Sequence, residues 1–161
     1  MKVKLFISPE EKEKFVAIHG PQLDNDIQKI IKHIEDLDKL KQLNGKYNDE
    51  IYILDVETIT SFRTHKNQVV AIQNNQNFIL KERLYELETY LPTSFIRISK
   101  SEIVNINKIK KLQLEPNGLI RMYLDNANYT YSSRRYLKSI KERLSLWLNF
   151  IDSLASLYSL V

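Results

Sequence analysis

Three short polar stretches carry side chains suited to binding a polyanion. The first is His65-Lys66-Asn67-Gln68, where Lys66 offers an ammonium and Asn67 a paired donor and acceptor. The second is Arg97 with Ser99-Lys100-Ser101 just after it, and the third is Tyr131-Ser132-Ser133-Arg134-Arg135 with Lys138 beyond. Phosphate oxygens accept from Lys, Arg and hydroxyl groups, while base edges pair with Arg, Lys, Asn or Gln. This is binding chemistry rather than bond-making chemistry. His19, His33 and His65 are far apart and lack metal-ligand spacing. Cysteine is absent, so neither thiolate chemistry nor a disulfide framework exists. With 3 glycines there is no phosphate-cradling loop. The reading is a protein that is not an enzyme and uses no cofactor or metal.

Charge is distributed in the same sense. Residues 1–58 hold 9 Lys and Arg against 12 Asp and Glu, whereas residues 97–143 hold 11 against 4. A basic segment beside an acidic one predicts a localised polyanion-binding face, although a solvated basic surface has the same composition. No run is long and apolar enough for a membrane span, and the N-terminus lacks the apolar core of a signal peptide. Both features, with the lack of cysteine, point to the cytoplasm.

The elements that must position these stretches are mostly short strands. Residues 1–7 and 15–18 read as two strands, ended by Gly20-Pro21. Asp24 then caps a helix, with Leu23, Ile27, Ile30, Ile31, Ile34, Leu37 and Leu40 at helical spacing and Asn44-Gly45 as its stop. This β-β-α extension, residues 1–45, is too small to fold alone and should pack on the rest of the chain. Strands are predicted at 51–56, 59–63, 69–73 and 77–80, then a short helix over 81–91. Five more strands come after it at 95–98, 103–106, 109–114, 119–124 and 128–131, with turns at Pro116-Asn117-Gly118 and Asp125-Asn126. A last helix starts near Ser132-Ser133, either of which is a candidate N-cap.

Particular strings narrow this pattern. The run from Phe95 through Arg97, Ser99, Ser101, Val104 and Asn105 to Ile109 resembles the signature of LytTR domains. Leu84-Tyr85-Glu86-Leu87-Glu88 with Leu91-Pro92 looks like that family's short helix, and Tyr131-Ser132-Ser133-Arg134-Arg135-Tyr136 like its C-terminal element. The resemblance spans residues 51–145. Ile53 to Ile59 resembles the join used in a minimal branch of the family, which lacks a phosphorylatable receiver domain.

The resemblance implies an α+β, mainly β fold: an elongated stack of small antiparallel sheets, here over residues 46–145. It also implies a sequence-specific transcriptional regulator of double-stranded DNA whose loops, not a recognition helix, enter the major groove. Lys66 and Asn67 fall at one family contact position, Ser99, Lys100 and Ser101 at a second, and Arg134, Arg135 and Lys138 at a third. Asn67 and Arg135 match base-reading positions. Arg97 is expected either to meet phosphate or to brace the sheet, and Asn105 to tie a turn. A small regulatory membrane protein is the implied partner, because such regulators are commonly paired with one. The alternative is a protein-interaction module, or an antagonist, that kept the fold and lost DNA binding.

The C-terminus is read from periodicity alone. Leu137, Ile140, Leu144, Trp147, Ile151, Leu154, Tyr158 and Val161 follow the spacing of a helix seam. From Leu144 onward the one charged side chain is Asp152. So apolar a helix needs a cover, whether the extension at 1–45, a second copy or a membrane partner. The expectation is a homodimer, with residues 146–161 as a dimerisation extension and Leu144, Trp147, Ile151, Leu154 and Tyr158 at its seam.

Overall fold

The computed structural model describes residues 2, 4–5, 7–10 and 12–144. Helix α1, Asn25–Glu35, comes first. A seven-stranded antiparallel sheet is next, made of β1 (Gln42–Tyr47), β2 (Glu50–Asp55), β3 (Ser61–His65), β4 (Gln68–Gln73), β5 (Gln76–Leu80), β6 (Phe95–Ser99) and β7 (Glu102–Asn105). Its strand order is β2-β1-β5-β4-β3-β7-β6. Helix α2, Leu84–Tyr90, connects β5 to β6. A second antiparallel sheet, in the order β10-β9-β8, holds β8 (Ile109–Leu114), β9 (Ile120–Leu124) and β10 (Tyr129–Tyr131). A third helix, α3, covers residues 137–144 of the described chain. This is the expected α+β, mainly β architecture.

Turn chemistry sets the registers. Asn48-Asp49, Lys66-Asn67 and Asn74-Asn75 each form a two-residue loop with positive φ at both positions, between 47° and 63°. Paired positive φ values match the twist of the flanking strands, and Asn and Asp tolerate them best. Lys66 is the one non-Asx residue in the set.

The β6–β7 hairpin feeds two cores from its two faces, as strand alternation requires. Phe95 and Ile103 join a cluster with Val56, Ile59, Phe62 and Leu87 beneath α2. Ile96, Ile98 and Val104 join a second with Met122, Leu124, Ile140 and Leu144, between the sheets and α3. Asn105, 1% exposed, links two strand-to-3-10 corners. Its Nδ2 donates to the Ile59 carbonyl at 3.0 Å and its Oδ1 accepts from Asn107 N at 3.0 Å, which is the turn-tying role expected of it.

The N-terminal extension differs from its predicted form. Among the described residues neither 1–7 nor 15–18 forms a strand, and Leu5, Ile7, Phe15 and Val16 are exposed. Strand propensity holds only where a ladder is available, and no neighbouring strand pairs with these segments. Helix α1 starts as expected, with Asp24 Oδ1 accepting from Ile27 N at 2.9 Å. It stops at Glu35 rather than near Asn44. Just past its end, Asp36 accepts from Thr93 N at 2.8 Å and from Thr93 Oγ1 at 3.1 Å, which pins the chain to the loop after α2. Asn44 and Gly45 lie inside β1, so a boundary at residue 46 cuts that strand. Gly45 is there for close packing: a Cβ would sit 2.7 Å from Phe78 Cβ and 2.8 Å from Leu54 Cδ1.

Two expectations at the C-terminal end also change. Ser132 is no cap; it is buried, and its Oγ accepts from Ile120 N at 2.9 Å. Ser133 precedes a 3-10 turn, Arg134–Tyr136, without a side-chain cap bond. Leu144, expected at a dimer seam, is 3% exposed and packs with Ile140 in the second core. The helix turns that face of α3 inward, so Leu144 is not available to a second copy. Trp147, Ile151, Leu154 and Tyr158 lie outside the described residues.

Candidate nucleic-acid interface

Strand pairing brings the three polar stretches to one end of the sheet. β3 runs into the Lys66-Asn67 turn, and β7 pairs with it so that Arg63 faces Glu102. Thr64 N donates to the Ser101 carbonyl at 2.9 Å, which sets the Ser99–Ser101 turn beside the end of β3. On the other side of β6, Ser133 N donates to the Ile98 carbonyl at 2.8 Å and seats the Arg134–Tyr136 turn there. Segments far apart in sequence thus come one after another across one edge.

Their side chains point mostly to solvent. Lys66, Asn67, Lys100, Ser101, Arg134, Arg135 and Lys138 are exposed, and Ser99 is half-buried. Among the described residues no carboxylate forms an ion pair with Lys66, Lys100, Arg134 or Arg135. Four such cations on one edge make a positive rim that attracts phosphate.

Arg97 is held within the hairpin. Its side chain is 13% exposed; Nε donates to the Ser99 carbonyl at 2.6 Å, and a terminal nitrogen donates to the Lys100 carbonyl at 2.5 Å. The other terminal nitrogen meets Glu88 Oε2 at 3.2 Å. These bonds engage all three guanidinium nitrogens, so the side chain shapes the turn that carries Lys100. Ser99 works inside the same turn, its Oγ accepting from Ser101 N at 3.2 Å. Asn67 holds a left-handed position at φ 63°, with its carbonyl accepting from Arg83 at 3.4 Å and, among the described residues, no hydrogen bond to its side chain.

Other residues at or near this edge carry no mark in the sequence. Arg63 pairs with Glu102 at 2.6 Å, and Thr130 donates to the other Glu102 oxygen at 2.5 Å, so one buried carboxylate joins β3 to β10 under the interface. No residue pattern signals that contact, because it depends on how two sheets stack. Beside it, the outer face of the second sheet aligns Lys111 with Tyr123 and Tyr129, and Gln113 with Arg121 and Tyr131. The Arg121 guanidinium carbon lies 5.1 Å from the Tyr131 ring centre, and Lys111 Nζ 4.2 Å from that of Tyr123. A hydrogen bond with the Tyr123 hydroxyl raises the Arg121 pKa further. The alternation of Tyr129 with Tyr131 is the one available signal for this face.

Comparison with known proteins bears on the family and the fold. A family model, the LytTr DNA-binding domain, matches residues 49–145. A Staphylococcus aureus protein (strain NCTC 8325) named an uncharacterized HTH-type transcriptional regulator is 57% identical over 146 residues, covering 91% of this chain and 99% of its own. A protein of the same description from strain MRSA252 is 56% identical over the same length. Among solved structures, a LytTr DNA-binding domain from a Bacillus cereus protein, described as a putative methyl-accepting/DNA response regulator, superposes with a TM-score of 0.63. It shares 23% identity and covers 65% of this chain and 97% of its own, a likeness of fold. The turns, the two sheets and the matched span lead to one assignment: the chain belongs to the LytTR family of DNA-binding domains.

Proposed function

We propose that the protein is a sequence-specific transcriptional regulator that reads the major groove of double-stranded DNA through the turns at 66–67, 99–101 and 134–135. The observation that carries this reading is the alignment of Lys66, Asn67, Lys100 and Arg135 along one sheet edge, exposed and, among the described residues, free of carboxylate partners. Lys66, Ser101, Arg134 and Lys138 serve phosphate, Lys100 phosphate or a base, and Asn67 and Arg135 base edges. Arg97 and Ser99 hold the central turn.

Under the same reading the protein acts in the cytoplasm as a homodimer and is restrained by a small membrane protein. Support for the homodimer comes from residues 145–161, whose sequence carries more apolar surface than one face of a helix can bury. Among the described residues no helix is long and apolar enough to cross a membrane.

Fluorescence anisotropy with duplex DNA from the regulator's own upstream region tests the function. The expected result is tight binding over a scrambled duplex, with affinity falling steeply as salt rises. Equal, weak binding to both duplexes would instead support a protein-interaction module with the same fold.

A further inference from the structure

The outer face of the second sheet carries aromatic and basic side chains in two rows. Tyr131, Arg121 and Gln113 stand side by side across β10, β9 and β8, with Tyr129, Tyr123 and Lys111 behind them. Strand alternation sends the neighbours Ile120, Met122 and Leu124 into the second core, so these rows face away from it. Lys111 and Gln113 are exposed, and Tyr129 and Tyr131 are open by 54% and 38%.

This face holds more donors than the protein uses. Among the described residues the hydroxyls of Tyr129 and Tyr131 make no hydrogen bond, and Lys111 pairs with no carboxylate. Arg121 Nη1 donates to the Tyr123 hydroxyl at 3.1 Å and Nε lies 2.8 Å from Glu115 Oε1. That ion pair is off hydrogen-bond alignment, and Nη2 has no partner among the described residues. Two cations against one carboxylate leave the face positive.

The front row lies toward the proposed reading edge. Ser132, next to Tyr131, accepts from Ile120 N, and Ser133 N donates to the Ile98 carbonyl, where β6 enters the Lys100 turn. The rear row lies toward the opposite end, where Asn128 Nδ2 donates to Asn75 Oδ1 at 3.2 Å in the β4–β5 turn.

We propose that this face grips the phosphate backbone of duplex DNA beside the bases read in the groove. Arg121 Nη2 and Lys111 neutralise phosphates, and the Tyr131 and Tyr129 hydroxyls donate to their oxygens. The proposal rests on the reading of the three turns as a DNA interface, with which Tyr131 is continuous through Ser132-Ser133. The rings of Tyr129 and Tyr131 stand at 85° to each other, and Arg121 and Lys111 lie over tyrosine faces. Hydroxyl tips and cations are therefore offered, rather than a flat platform on which bases stack. Contacts of this kind fix register on the duplex and carry no sequence information.

The full chain with Lys111→Gln, Tyr129→Phe and Tyr131→Phe combined tests this, since the rings remain in place. Anisotropy is measured over a salt series with duplex from the regulator's own upstream region and with a scrambled duplex. Affinity should fall by the same factor on both, with a salt slope smaller by about one and an unchanged melting temperature. Arg121→Gln should lower the slope by about one as well. Unchanged affinity and slope in the triple variant would overturn the proposal. Loss of preference between the two duplexes would also overturn it, by making the face a base reader. So would wild-type protein binding single-stranded oligothymidylate more tightly than scrambled duplex, with that advantage lost in the triple variant. Wild-type protein that binds both duplexes alike would remove the sequence-specific reading alone, because the slope difference still decides this face.

Discussion

Arg97 Nε donates to the carbonyl of Ser99, two residues ahead on the same strand, at 2.6 Å. The strand thereby clamps the turn that it leads into, and a second bond to the Lys100 carbonyl closes the clamp. A basic residue thus acts from beneath on a turn that we propose faces DNA.

Arg97→Ala should therefore weaken DNA binding and lower stability together. Hydrogen bonds from a charged donor contribute about 1.5–3 kcal/mol, and waters will replace part of these. Arg97→Lys should not rescue, because an ammonium cannot span the two carbonyls and Glu88 in one plane. Lys100→Ala should behave oppositely, with an unchanged melting temperature and a salt slope smaller by about one. Thermal melts and salt titrations of both variants check the pair. A reduced slope for Arg97→Ala as well would show that Arg97 meets phosphate after all.

Arg135→Ala should reduce sequence preference while leaving the fold intact. The side chain is exposed, and among the described residues its one ring neighbour, Tyr136, is distant at 6.0 Å. A bidentate arginine on a base is worth about 1–3 kcal/mol of discrimination. Competition between cognate and scrambled duplex measures this directly. Preserved discrimination would move base reading to Asn67 or another residue.

The candidate site is legible in the sequence because its parts are local. Each contact stretch is a turn of a few residues, and turn chemistry leaves a signal in residue type. The hairpin strands are legible for the same reason. Misreadings arise where a distant partner decides the outcome. The stripe from Leu23 to Leu40 reads as one long helix, but the Asp36–Thr93 bonds end it early, and β1 takes the residues after it. Gly45 reads as a stop signal, while its real constraint is Phe78 across the sheet. Arg97 is ambiguous because bracing and phosphate contact demand the same side chain. The Glu102 link is invisible, since its partners come 39 residues before and 28 after it.

Gly45→Val should destabilise the protein by about 1–3 kcal/mol, the usual cost of forcing extra carbon into packed space. The first added atom already falls 2.7 Å from Phe78 Cβ, and Phe78 packs against Tyr47 and Tyr52, so it has little room to yield. Urea unfolding measures the loss. DNA binding by the folded fraction should be unchanged, because the proposed interface lies at the end of β3 and β6 rather than at β1. A variant as stable as the wild type would mean that the β1–β2 hairpin shifts freely on the sheet.

Glu102 offers the sharpest separation of stability from binding. The carboxylate is 7% exposed and accepts from Arg63 on β3 and Thr130 on β10. Glu102→Ala removes both acceptors and leaves the Thr130 hydroxyl buried without a partner. Breaking a fully buried pair costs about 3–5 kcal/mol, but Arg63 is 37% exposed and can rehydrate. A loss of about 1–3 kcal/mol is therefore expected, and Glu102→Gln should fall between. In a cycle with Arg63→Ala the two losses should not add, because they share one contact. Binding should move the other way. Freed from Glu102, Arg63 becomes an extra cation near the Lys66-Asn67 turn, so affinity for scrambled duplex should rise and its salt slope steepen. A variant that loses stability without gaining non-specific affinity would show that Arg63 stays turned away from the DNA-facing edge.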